Sequence, residues 1–338
     1  MRMRVAVSPG DMLTAGAFHA DIQKGGTMKR AVRTIVTAGC LAAVVAGCGS
    51  GRGPAQGRLI VTSFYPVYIT ALNVVSGVDG VGLVNLVQSQ AGCLHDHQMS
   101  PAEMALVEHA GVLVINGAGM EPFMDAVRKS RPELAVIDVS EGIELLPAWG
   151  LGTGDEADHD HDHDHGHESA YNPHVWVGIS NAMLQAETMA EGLARWDTAN
   201  AAAYRENGRR YAARLDSLRR VVKSALDSCS RRDIITQHDA FAYFAREFGL
   251  TVAGVVAREA GAEPSAEDLA GTIRTIREKK IAAVFAEPQY SDASAQTIAR
   301  ETGVRVLLLD PGSSGPMNPD AYVEIMGKNA AVLAGALK

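Results

Sequence analysis

The chain has 338 residues, 47% of them hydrophobic and 5% aromatic, enough apolar material for two cores of ordinary size. Its formal net charge of −8, from 39 acidic and 31 basic residues, argues against nucleic acid as a partner.

Residues 1–27 show no clear periodicity and read as an unstructured or mis-assigned extension. A compact pattern starts at Met28, with Lys29, Arg30 and Arg33 followed by an apolar run from Thr34 to Ala46. Basic flank and apolar run together predict a secretory signal over residues 28–47, too short for the roughly 20 residues of a permanent membrane span. The run closes on Val45, Ala46, Gly47 and Cys48, which resembles the lipobox of bacterial lipoproteins. Cys48 is therefore the expected lipidation site, and residues 48–57, rich in Gly and Pro, the expected tether. Removing residues 1–47 leaves 25 basic against 37 acidic residues, a net charge of −12. Cys93 and Cys229 then remain to pair or to stay as thiols in an oxidising compartment, and sequence alone leaves both open.

From Arg58 onward, short β-rich runs alternate with helical stretches. Leu59 to Thr62, Val81 to Val87, Val112 to Asn116 and Ala135 to Asp138 are the strand candidates. Helical patterns cover Tyr68 to Val75 and Glu121 to Lys129. This βαβ rhythm predicts an N-terminal α/β lobe over 58–196, with a parallel sheet flanked by helices. Turn chemistry almost vanishes between Asn181 and Leu226, which predicts a long, partly solvated helix within a connecting segment 197–229. The rhythm then resumes over 230–338 with strands at Asp233 to Thr236, Thr251 to Val256, Ile281 to Phe285 and Val304 to Leu309. Ser265 and Asp268 form a capping pair, and a last helix covers about Ala321 to Leu337. The expected fold class is α/β: two lobes, each a mainly parallel sheet flanked by helices, joined by one long rigid helix.

Eleven histidines are distributed unevenly. Five of them, His159, His161, His163, His165 and His167, alternate with carboxylates inside the segment 155–168. From Asp158 to Glu168 it has no apolar residue to bury, so it cannot join a core, and its natural chemistry is weak, accessory metal collection. Ligands of open parallel sheets bind beyond the carboxyl ends of the strands, which directs attention to the residues that follow each strand. His238 follows the Asp233 strand, Glu287 the Ile281 strand and Asp310 the Val304 strand, while His95 lies in the loop after the Val81 strand. His174 lies just after the His-rich segment. Successive members of the set His95, His174, His238 and Asp310 are separated by 64 to 79 positions, so spacing alone unites none of them; His109, in an apolar-flanked helical stretch, reads as structural.

Several ordered motifs supply the missing link. Leu94 to Pro101 (LHDHQMSP), Asn116 to Glu121 (NGAGME), Asn172 to Trp176 (NPHVW) and Gln237 to Phe244 (QHDAFAYF) are followed by Ala262 to Ser265, Ala286 to Gln289 and Leu309 to Pro311. In this order they resemble the zinc and manganese solute-binding proteins of ABC importers, over the whole region from Arg58 to Lys338. The resemblance implies two lobes with a metal in the cleft between them. It implies ligands His95 and His174 from the first lobe, and His238 and Asp310 from the second. Three imidazoles and one carboxylate suit tetrahedral Zn2+. The manganese-type relatives are implied to carry a carboxylate at the position of His238, and imidazole there favours zinc. His97 stands where the family usually has an aromatic residue, so His95 and His97 are alternatives, and Glu287 or water is an alternative to Asp310. The implied partners are an ABC permease and its ATPase, reached by a monomer that a lipid anchor holds at the outer face of the cell membrane.

Competing readings are a manganese-type metal-binding lipoprotein or adhesin of the same family, a passive metal store, and a zinc-dependent hydrolase. The hydrolase would need an open coordination position, and the chain has no His-Glu-x-x-His or other compact helix-borne ligand pair.

Overall fold

A computed structural model describes residues 58–87, 93–94, 97–150, 170–258 and 260–338 of the chain. The signal region, Cys48, His95 and the His-rich segment lie outside the described residues.

The first half runs β1 (Leu59–Thr62), α1 (Tyr65–Val74), β2 (Gly82–Asn85), α2 (Pro101–His109), β3 (Val112–Ile115), α3 (Met124–Ser130) and β4 (Ala135–Asp138). All pairings are parallel, in the order β2-β1-β3-β4. Strand β3, four consecutive apolar residues, is buried on both faces, as a central parallel strand must be when helices cover the sheet. α2 is started by a complete capping box: Ser100 accepts from Glu103 N–H, and the Glu103 carboxylate accepts from Ser100 N–H, with Pro101 opening the first turn.

The second half repeats the plan: β5 (Asp233–Thr236), α6 (Ala242–Phe248), β6 (Thr251–Val255), α7 (Ala266–Lys279), β7 (Ala283–Ala286), α8 (Ala293–Thr302), β8 (Arg305–Leu308) and α9 (Ala321–Leu337). Its sheet, again parallel throughout, has the order β6-β5-β7-β8. Ser265 and Asp268 cap α7 reciprocally, as the sequence pattern predicts.

Between the halves lie α4 (Ile179–Trp196) and α5 (Ala201–Asp227). At 27 residues, α5 is about 40 Å long, which lets one helix run past both sheets. Tyr204, Asn207, Tyr211, Leu215, Leu218, Val222 and Leu226 form its buried stripe at three- and four-residue spacing. Its outer face carries short-range ion pairs such as Arg209 with Glu206 and Lys223 with Asp227, which are exposed and contribute little to stability.

Two findings depart from the sequence expectations. Length and composition argue for two cores, whereas one continuous buried cluster reaches from Ile60 and Val114 through Tyr211 and Leu215 to Phe285 and Leu337. The reason is the central helices, which pack against elements of both halves and fuse their interiors. Among the described residues two smaller clusters are set apart: one, including Ile235, Val284, Ile276 and Ile298, between the second sheet and α7 and α8, and one of Ile143, Val175 and Tyr243. α3 begins at Met124 rather than near Glu121, because the Glu121 carboxylate is engaged by the preceding turn.

Candidate functional site: a metal centre at the strand ends

In the second lobe β5 and β7 are neighbours, and the chain leaves them toward opposite edges of the sheet. That point is where open parallel sheets present ligand-binding groups. His238 follows β5 and Glu287 follows β7. The two side chains meet with His238 Nδ1 at 2.5 Å from Glu287 Oε1, and the His238 backbone N–H also donates to Oε1 at 3.3 Å. Both are buried, at 1% and 2% exposure. Burial opposes a charge on His238, but the negative charge of Glu287 beside it outweighs that and holds the imidazole pKa well above its ordinary value. With Nδ1 committed to the carboxylate, Nε2 is the atom turned toward the cleft.

In the first lobe a different device orients His174. Asn172 Oδ1 accepts from both the His174 backbone N–H (2.9 Å) and ring Nδ1 (3.0 Å), so here too Nε2 is left facing outward. The loop carrying His174 is held from beneath by the Asn116–Glu121 motif. Asn116 Nδ2 donates to Pro173 O at 2.9 Å, and Gln185 Nε2 donates to Asn116 Oδ1 at 3.1 Å. Glu121 accepts the backbone N–H groups of Asn116 and Gly117 at 2.7 and 3.1 Å. Gly117 must be glycine: its φ is +76°, and a Cβ there would lie 1.8 Å from Asp138 Oδ1. The two histidine loops are also joined to each other. Asn172 Nδ2 donates to Asp239 O at 2.7 Å, and Tyr243 Oη donates to Asn172 O at 2.7 Å. Trp176, two residues after His174, donates its Nε1–H to Pro311 O at 2.8 Å.

These supports bring His174 Nε2 and His238 Nε2 within 3.1 Å of one another. A third donor, Cys93 Sγ, lies 3.4 Å from His174 Nε2 and 3.6 Å from His238 Nε2. Among the described residues these three ligand atoms form a group with every separation under 4.8 Å. Glu287 does not belong to that group; it stands behind His238. Asp310 is half-buried at the end of β8, where its Oδ1 accepts from Gln289 Nε2 at 2.9 Å and from Gly312 N–H at 2.8 Å. His97 turns to Glu103, with 3.1 Å between Nε2 and Oε1, and packs edge-on against Phe123. His109 ends α2 and is exposed. His95, and the accessory histidines His159, His161, His163, His165 and His167, lie outside the described residues.

Cys93 is the residue that sequence reasoning considered only as a disulfide partner or a free thiol. It and Cys229 are both free thiols. The available signal was its place two residues before His95, in the loop following a strand, where a donor is already expected.

A family model for the periplasmic component A of zinc-uptake complexes matches residues 60–336. The high-affinity zinc uptake system protein ZnuA of Bacillus subtilis is 30% identical over 87% of this chain and 94% of its own length. Among solved structures, a Zn(II)-bound variant of AdcAII from Streptococcus pneumoniae aligns with a TM-score of 0.72 at 27% identity, over 84% of this chain and all of that one. The solute-binding protein FpvC of Pseudomonas aeruginosa, solved in complex with Mn2+, aligns with a TM-score of 0.70 at 29% identity, over 82% of this chain and 97% of that one. With the family match spanning both lobes and the same architecture recurring in these structures, the chain belongs to the family of the periplasmic component A of zinc-uptake complexes.

Proposed function

We propose that this protein captures Zn2+ outside the cytoplasm, in the cleft between its lobes, and delivers it to the permease of an ABC importer driven by its ATPase. The observation that carries this reading is the meeting of two buried imidazole Nε2 atoms, one from each lobe, 3.1 Å apart, each with its Nδ1 already committed to a fixed acceptor. A histidine whose second ring nitrogen is held by a carboxylate or an amide is the usual arrangement of a zinc ligand. His174 and His238 are the proposed core of the site. His95 and Asp310 are proposed to complete a four-ligand shell, and the imidazole at position 238 favours zinc over manganese.

A shell filled by four protein ligands leaves no position at which water could be activated, which supports a carrier rather than a hydrolase. The relatives' names support the same role. No helix among the described residues is long and apolar enough to cross a membrane. Attachment is proposed to come from lipidated Cys48 through the 48–57 tether, with the protein acting as a monomer. The His-rich segment is proposed to collect zinc in weak accessory sites. Release follows from the split of the ligands between lobes: docking on the permease displaces one lobe against the other and breaks the set.

Native mass spectrometry with Zn2+ and Mn2+ in competition tests the reading. The wild-type protein is expected to retain one tightly held zinc after excess metal is removed, and the His238→Ala variant to lose it. Tight zinc retained by that variant, or manganese bound in preference, refutes the proposed site.

A further inference from the structure

We infer that Cys93 is a direct metal ligand, bound as thiolate, and that it makes this centre a nitrogen and sulfur site with a bias toward zinc over harder divalent ions. The inference rests on the zinc reading above and replaces one of its two outer donors.

The geometry is specific. In a tetrahedral zinc site with Zn–N bonds near 2.0–2.1 Å and a Zn–S bond near 2.3 Å, two nitrogens are about 3.3 Å apart and a nitrogen and a sulfur about 3.5 Å. The observed edges are 3.1 Å between the two Nε2 atoms, and 3.4 and 3.6 Å from these atoms to Cys93 Sγ. One triangular face of a tetrahedron is therefore present, and an ion just off its plane reaches all three atoms. With Cys93 in the shell a single corner remains, so only one of the two outer donors proposed above, His95 or Asp310, is a ligand and the other is not.

The sulfur is held in place. The Cys93 backbone N–H donates to Tyr290 Oη at 3.1 Å, and the Tyr290 ring packs edge-on against His238 at 6.0 Å between centroids. Tyr290 belongs to the second lobe, so the loop bearing Cys93 is fixed by the same lobe that supplies His238. The alternative use of this thiol, a bond to Cys229, is not what the fold arranges. Cys229 is buried just after the last turn of α5, where its Sγ lies 3.8 Å from Ala225 O. Instead, Cys93 presents its sulfur to two imidazoles.

The chemical consequence is selectivity. Binding converts Cys93 S–H to a thiolate, the thiol proton leaving to solvent, and the thiolate brings a negative charge into direct contact with the cation. A soft donor of this kind suits zinc and disfavours manganese, which takes oxygen ligands. Cys93 is thus a specificity-determining residue at a site whose structural relatives include one solved with Mn2+.

Cobalt(II), a spectroscopic stand-in for zinc, tests this in the metal-free protein kept under reductant. One equivalent of Co2+ is expected to give visible d–d bands together with an ultraviolet thiolate-to-cobalt charge-transfer band. In Cys93→Ser the d–d bands persist and the charge-transfer band is lost. Zinc affinity in that variant is expected to fall by more than the roughly 10–100-fold that follows loss of an outer-shell partner, with a much smaller change for Mn2+. X-ray absorption at the zinc edge of the wild-type protein, loaded with one equivalent, needs no variant and should show one sulfur near 2.3 Å. Bound Co2+ without the charge-transfer band, or a zinc shell of nitrogen and oxygen only, overturns the role of Cys93 while leaving the zinc carrier intact. Failure of the wild-type protein to bind either metal overturns both.

Discussion

Replacing Glu287 by Gln isolates the contribution of a group that the fold places behind His238. Glu287 is 2% exposed, and its Oε1 lies 2.5 Å from His238 Nδ1, so ring orientation and basicity depend on it together. Glutamine has nearly the same shape and still offers an oxygen to Nδ1–H, so the orientation of His238 should survive while the charge is lost. A neutral acceptor makes Nε2 a weaker donor, and the expected loss is that of an outer-shell partner, roughly 10–100-fold in zinc affinity, or about 1.4–2.7 kcal/mol. Folding should change less: His238 can shed its proton when the carboxylate is gone, so no uncompensated charge is left buried. The measurement is zinc titration against a chromophoric chelator of known affinity, with circular dichroism to check the fold. If Glu287 instead bound zinc directly, the amide would replace a charged ligand and the loss would exceed about 1000-fold. Affinity unchanged within a factor of three would refute the placement of Glu287 behind His238 as a functional partner.

Further outcomes follow from the supports of the His174 loop and from the accessory segment. Gly117→Ala forces a side chain into a left-handed residue at a cost of about 1–2 kcal/mol, and its Cβ displaces the Asp138 carboxylate from Ser140, so thermal unfolding should show at least about 3 kcal/mol of destabilisation. Glu121 is fully buried, which pushes its pKa from 4.5 up to about 7. The protonated form therefore fits the fold: its stabilisation is complete below pH 4.5 and is lost as the pH rises through 7, amounting to about 3 kcal/mol at pH 8. Glu121→Gln does not titrate, so the wild-type and variant melting curves should diverge across this window, and parallel pH profiles would contradict the assignment. Deleting residues 155–168 should reduce the number of weakly held zinc ions while leaving one tight site, as read by equilibrium dialysis; loss of the tight site would contradict an accessory role.

The reach of sequence reasoning differed between levels of structure for physical reasons. Strand runs such as Val112 to Ile115 and Ala283 to Ala286 are apolar throughout because parallel strands between helix layers have no solvated face, so the α/β class was legible from them. The positions of His238 and Glu287 immediately after strands were legible for the same reason: topology fixes where strand ends lie. Their relation was not. That Glu287 serves His238 depends on β5 and β7 being neighbours, and strand order is a long-range property that no local pattern carries. Cys93 escaped because a lone thiol is compatible with several fates, and only its 3.4 and 3.6 Å approach to two imidazoles distinguishes among them. The continuity of the main core across both halves was hidden likewise, since the stripe on α5 looks the same whichever elements pack on it.

The arrangement of supports bears on how such a site can both hold and release its cargo. Asn172 orients His174 within the first lobe, and Glu287 orients His238 within the second, so neither imidazole needs the metal to take its working direction. Little ordering entropy then remains to be lost on capture, which favours tight binding. The same division makes the site sensitive to a single coordinate, the separation of the lobes. Metal–ligand bonds of about 2.0–2.3 Å tolerate only tenths of an ångström, so a displacement of about 1 Å between two rigid halves is enough to break the shell. A permease that grips both lobes need not compete for zinc as a ligand; it need only favour the wider separation.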